Sequence, residues 1–133
     1  MEIQLHVISN NRGFTIIEFL VAIVIVMVGM LGLLQSVNVA LTHNLQNQMR
    51  NEAVMVADEQ MAREMGKGYD QADATMRNYT VGRQILNAYR IYSVARTGAT
   101  LQNSKQLNFV VTWRYKGVSY NHGASTVITK TNQ

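Results

Sequence analysis

Between Phe14 and Leu34 the chain runs through 21 residues whose only clearly polar members are Thr15 and Glu18. As a helix rising 1.5 Å per residue, such a run spans about 31 Å, the thickness of a bilayer hydrocarbon core. The apolar region of a secretory signal is shorter, about 7 to 15 residues, so this stretch reads as a transmembrane helix. Arg12, just before it, favours an N-terminus on the cytoplasmic side.

Glu18 is the anomaly in that run. A charged residue at the centre of a membrane helix costs about 2.5 to 3.5 kcal/mol on insertion scales and marks a functional position by default. Lying one turn in from the apolar start lowers that cost without removing it. The bland alternative is an interfacial carboxylate that snorkels or is protonated.

Beyond Gln35 the pattern becomes amphipathic. Leu41, Leu45, Met49, Ala53, Ala57, Met61 and Met65 recur at every fourth position, and each step drifts about 40° on a helix of 3.6 residues per turn. Glu59 with Arg63, and Glu64 with Lys67, have the spacing of supporting pairs on an exposed face. Gly66 and Gly68 are natural stops. One helix is expected from about Phe14 to about Met65, and its second half needs a cover.

The cover is expected to be β. In "LNFVVTWRY" Leu107, Phe109, Val111, Trp113 and Tyr115 alternate with Asn108, Val110, Thr112 and Arg114. Lys116-Gly117 supplies a turn, and "VSYNHGASTVITK" reads as a returning strand with a bulge or bend at Asn121 to Gly123. "NAYRIYSVAR" is a further strand, and "YDQADATMRNYTVGR" the irregular loop between helix and sheet. The fold class is therefore α+β: one long N-terminal helix packed on an antiparallel sheet of three to four strands. Residues 1-13 form a leader, 14-34 the membrane-spanning half, 35-66 the amphipathic half, and 67-133 a β head.

Chemistry is sparse. The three histidines, His6, His43 and His122, make no metal-ligand spacing, and there is neither a phosphate-binding glycine loop nor a nucleophile elbow. The chain reads as non-catalytic, with no cofactor. With no cysteine the head stands on packing alone. Charge is unevenly spread: Arg50 to Asp73 holds three basic residues against six acidic ones, while Met76 onward holds eight basic residues and no acid. This basic half has three readings: a solvated face, docking on the acidic helix of another subunit, or contact with a polyanion such as nucleic acid through Arg90, Arg96 and Arg114.

"RGFTIIEFLVAIVIVMVGMLGLL" resembles the N-terminus of type IV prepilins. The resemblance covers about the first forty residues, and the rest is similar in architecture only. It implies cleavage by a prepilin peptidase between Gly13 and Phe14, N-methylation of Phe14, and a role in assembly for Glu18, fifth in the mature chain. It also implies a single-pass inner-membrane precursor, held in membrane lipid and passed by an inner-membrane assembly platform into a pilus of other pilin subunits, on the cell surface or facing the periplasm. "FVVTWRYKG" with its closing strand is similar to the C-terminal region of PilV-type minor pilins. The leader is longer and less basic than many, Gln35 stands where many major pilins have a helix proline, and no cysteine is present for a C-terminal disulfide. These departures lean toward a minor pilin that primes assembly or modulates adhesion. A pseudopilin of a type II secretion system and a DNA-binding uptake pilin are the alternatives.

Overall fold

A computed structural model describes residues 13–130. Of the expected leader only Gly13 is included; the rest of it, with His6 and Arg12, lies outside the described residues. The chain divides into two units, Met1–Leu41 and Thr42–Gln133. Helix α1, Ile16–Gly66, runs through both. It is followed by the short α2, Gly68–Gln71, and by four strands: β1 Arg77–Ile85, β2 Ala88–Thr100, β3 Ser104–Tyr115 and β4 Val118–Thr129.

In the first unit almost every side chain of the helix is exposed, including Ile17, Leu20, Val24, Met27, Leu31 and Leu34. The segment is long and apolar enough to cross a membrane. Exposed apolar side chains over such a length are what a lipid-facing helix carries.

The second unit carries the buried core. The strands form an antiparallel meander in the order β1-β2-β3-β4. Met49, Ala53, Val56 and Ala57 of α1 are buried with Tyr92, Val94, Leu107, Phe109, Val111 and Trp113. The alternation predicted for β3 is observed: Leu107, Phe109, Val111 and Trp113 are buried and Val110 and Arg114 exposed. The helix stripe departs from the every-fourth-residue reading at both ends. Leu41 and Met65 are exposed, while Val56, Gln60 and Glu64 are buried instead. The 40° drift explains this, since a straight contact line must switch between steps of three and four residues.

Three further expectations are corrected. The segment expected to be an irregular loop contains α2 and most of β1, which pairs with β2 from Arg77↔Arg96 to Ile85↔Ala88. No bulge occurs at Asn121 to Gly123, because the β3–β4 register runs unbroken through Val110↔Gly123, Val111↔His122 and Thr112↔Asn121. Glu64 is not on an exposed face. The Lys116-Gly117 turn is observed, with both residues at positive φ (48° and 81°) as a two-residue hairpin of the twist-matching kind needs.

Glu64 is buried because β2 brings a cation to it. Arg96, 3% exposed, donates from Nη1 to Glu64 Oε1 (2.8 Å), from Nη2 to Asp73 Oδ2 and from Nε to the Thr75 carbonyl (3.3 Å). Lys67 also donates to Glu64, at 2.7 Å, and the Asp73 amide donates to the second carboxylate oxygen, at 3.3 Å. Lys105 Nζ caps the carbonyls of Tyr69 and Ala72 at 2.7 and 2.8 Å. The helix end, the connecting segment and the sheet are thereby tied through one guanidinium and one ammonium. Nearer the start of the core, Arg83 pairs with Glu52 and Glu59. Part of the acidic helix is thus matched to the basic sheet within a single chain.

At Gly98 of β2 both the connecting segment and the neighbouring strand come close. A Cβ there would lie 2.7 Å from the Gln106 carbonyl oxygen and 3.0 Å from that of Ala74, both backbone atoms that cannot swing away. Gly98→Ala is expected to destabilise the head by about 1 to 3 kcal/mol through overpacking, measured by denaturant unfolding of the full chain in detergent.

The ion cluster sets an acid limit. The Thr75 amide and hydroxyl, then the Arg96 guanidinium, hold Asp73 down at about 2. Burial works to raise Glu64, but the Lys67 hydrogen bond, the Asp73 amide and the nearby cations outweigh it and leave its pKa lowered. Carboxylates depressed in the folded state contribute stability that is complete above their unfolded pKa and lost as pH falls through the folded one. The thermal midpoint of the head is therefore expected to fall as pH drops from about 5 to about 2. Arg96→Gln, which removes the buried guanidinium and leaves Glu64 with the more exposed Lys67 as its cation, is expected to cost about 3 kcal/mol at neutral pH; a midpoint unchanged by that substitution would show that the cluster is not holding the segment.

Candidate functional site

Gly13, Phe14 and Thr15 precede the helix in non-helical conformation, and all three are exposed, Phe14 at 93%. The peptide bond between Gly13 and Phe14 is therefore outside helical hydrogen bonding and open to an enzyme that needs accessible backbone. The helix starts immediately afterwards because Thr15 and Glu18 form a reciprocal cap. The Thr15 amide donates to Glu18 Oε2 at 2.8 Å, the Thr15 hydroxyl donates to the same oxygen at 3.1 Å, and the Glu18 amide donates to Thr15 Oγ1 at 3.3 Å. This is a capping box, in which the N-cap hydroxyl and the carboxylate three residues on satisfy each other's backbone amides.

The cap changes the chemistry of Glu18. Its charge sits in the first turn, where the helix dipole favours an anion, and its oxygens already hold two donors. The same geometry keeps it one turn from the Gly13–Phe14 bond. The Thr-x-x-Glu spacing of "TIIE" is a capping signature in the sequence, masked there by the apolar run around it.

The three arginines considered together in the sequence are not one patch. Arg96 is buried in the Glu64–Asp73 cluster, so the expectation that it contacts a polyanion or another subunit is corrected: the guanidinium is occupied within its own chain. Arg90 is half-buried and Arg114 exposed. Six residue steps along the strand separate Arg90 from Arg96, about 20 Å at some 3.3 Å per step. Of the aromatics interleaved with them, Tyr92 and Trp113 are buried and Tyr89 is exposed. Tyr92 donates its hydroxyl to the Met49 carbonyl at 3.0 Å, and burial, then the Glu52 charge, push its pKa up to about 12.

Among the described residues no group of three or more His, Asp or Glu side chains is placed to hold a metal ion. His43 lies on α1 and His122 on β4.

Comparison with curated proteins and with solved structures finds no match. Residues 8–34 match the family model described as the prokaryotic N-terminal methylation motif. That segment includes Gly13, Phe14, the capping box and the apolar run. The chain carries the N-terminal motif typical of type IV prepilins and pseudopilins, joined to an α+β pilin-like fold.

Proposed function

We propose that the chain is a minor type IV pilin. A prepilin peptidase cuts between Gly13 and Phe14, the new terminus is N-methylated, residues 14–34 hold the subunit in the inner membrane, and it enters a pilus alongside other pilins. The observation that carries this reading is the matched motif with an accessible Gly13–Phe14 bond and one carboxylate, Glu18, capped one turn beyond it.

Cleavage supplies the physical reason for the carboxylate. It creates an α-amino group at Phe14, and a bare ammonium is as costly in lipid as a bare carboxylate. Bringing the two together in a low-dielectric environment offsets part of both costs. When the amine belongs to an incoming subunit and the carboxylate to its neighbour, only one register satisfies both groups. The chain's absence of proline near Gln35 and of any cysteine supports a low-copy subunit over a principal one. The pseudopilin reading shares the motif and differs in location.

Glu18→Ala is expected to leave cleavage intact and to lower incorporation into sheared surface filaments about tenfold, the ratio that accompanies roughly 1.4 kcal/mol. The check is intact mass of the chain recovered from those filaments, which should correspond to a start at Phe14 with one added methyl group. Equal incorporation of the variant overturns the assembly role. Absence of the wild-type chain from filaments, with a normally processed terminus, favours the pseudopilin.

A further inference from the structure

The β2–β3 ladder stops early. Its last pair toward the Ala88 end is Ser93↔Thr112, although β2 continues back to Ala88 against β1 and β3 continues to Tyr115 against β4. The two central strands therefore part, and a cavity of about 390 Å³ opens through the sheet between them. It is lined from the outer face by Ser93, Thr112, Arg114 and Ser119 and from the helix side by Arg90 and Trp113, with buried Met49 among its walls.

The polar groups here are unbalanced. Trp113 is 4% exposed, and its indole Nε1–H has no partner; the buried Nε of Arg90 likewise has none. Trp113 is not free to turn toward another acceptor, because its ring stacks on Tyr120 at 5.9 Å and lies 6.1 Å from Tyr92. Among the described residues neither Arg90 nor Arg114 is ion-paired, in contrast to Arg83 and Arg96. The unpartnered indole N–H of Trp113, the unpaired guanidiniums of Arg90 and Arg114, and the hydroxyls of Ser93, Thr112 and Ser119 ask for acceptor oxygens and negative charge.

We propose that this notch is a binding site for a single carboxylate group, with the Trp113 Nε1–H and Arg90 as its inner donors and Arg114 at its mouth. A nucleic-acid backbone fits less well. It needs a track of cations, whereas the recess takes one group and the next arginine along β2, Arg96, is committed inside the fold. A carboxylate can come from a second copy of this chain, whose Asp58 and Asp70 are exposed and, among the described residues, unpaired. It can also come from another molecule. The inference stands apart from the pilin reading, since it uses only the head.

Trp113 is the sole tryptophan of the chain, so tryptophan emission comes from this one side chain; because it also borders a recess with Arg50 and His122, the Arg90→Gln variant is what assigns a response to the notch. The full chain in detergent is titrated with capped aspartate, inorganic phosphate and a short DNA duplex, each against sodium chloride at equal ionic strength. Capped aspartate is expected to shift Trp113 emission saturably, and Arg90→Gln to weaken that response about tenfold, with far-UV circular dichroism verifying that the variant is folded. Arg114→Gln is expected to give a smaller loss. A response that follows ionic strength alone, one unchanged by Arg90→Gln, or one seen only with phosphate or DNA overturns the proposal. A probe-free emission shift that grows with protein concentration and is lost in the Asp58→Asn, Asp70→Asn double variant assigns the carboxylate to a second copy; its absence alongside a positive aspartate titration assigns it to another molecule.

Discussion

One uninterrupted helix has to satisfy two different solvents. Over residues 16–41 it buries almost nothing, and over its remaining turns it supplies one wall of a closed core. Apolar side chains exposed over this length favour cover by lipid or by other chains, because water disfavours them at about 25 cal/mol per Å² of exposed apolar surface. That requirement is consistent with membrane anchoring of the first half, and it leaves the second half to organise the sheet. The head's core residues all lie in the second unit.

Within the head, charge follows the same economy of partners. Arg83 and Arg96 reach from the sheet to acids on the helix and its following segment, so that opposite charges lying far apart in sequence meet across the core. Arg90, on the same side of β2 as Arg96, is ion-paired with no acid among the described residues and lines an opening between strands instead. The contrast between these arginines comes from register: the ladder places Arg96 opposite Phe109 over the end of α1, whereas Arg90 lies past the point where β2 and β3 separate.

Much of the fold was legible in the residues. The strict alternation of β3 follows from a sheet with one buried face, and the Lys116-Gly117 hairpin from the positive φ its turn demands. β1 was not legible, since "RNYTVGRQI" mixes charge, glycine and short polar side chains; its strand character comes from pairing with β2. Glu64 was misread because an acid with a helix-spaced lysine looks solvated until a buried guanidinium arrives from 32 residues away. At the N-terminus the motif was readable, and the Thr15–Glu18 cap was present in its spacing but obscured by the cost of charge in an apolar run.

The sequence by itself determined the features that depend on neighbours close along the chain. These are the apolar span, the cleavage-type motif around Gly13 and Phe14, the carboxylate at Glu18, the long helix and the alternating strand. Only the tertiary structure decided which arginines are spent inside the fold and which remain open, and where the sheet parts between β2 and β3. The reason is physical: periodicity and capping act over a few residues, whereas burial and ion pairing depend on strand register, which forms only when distant segments meet.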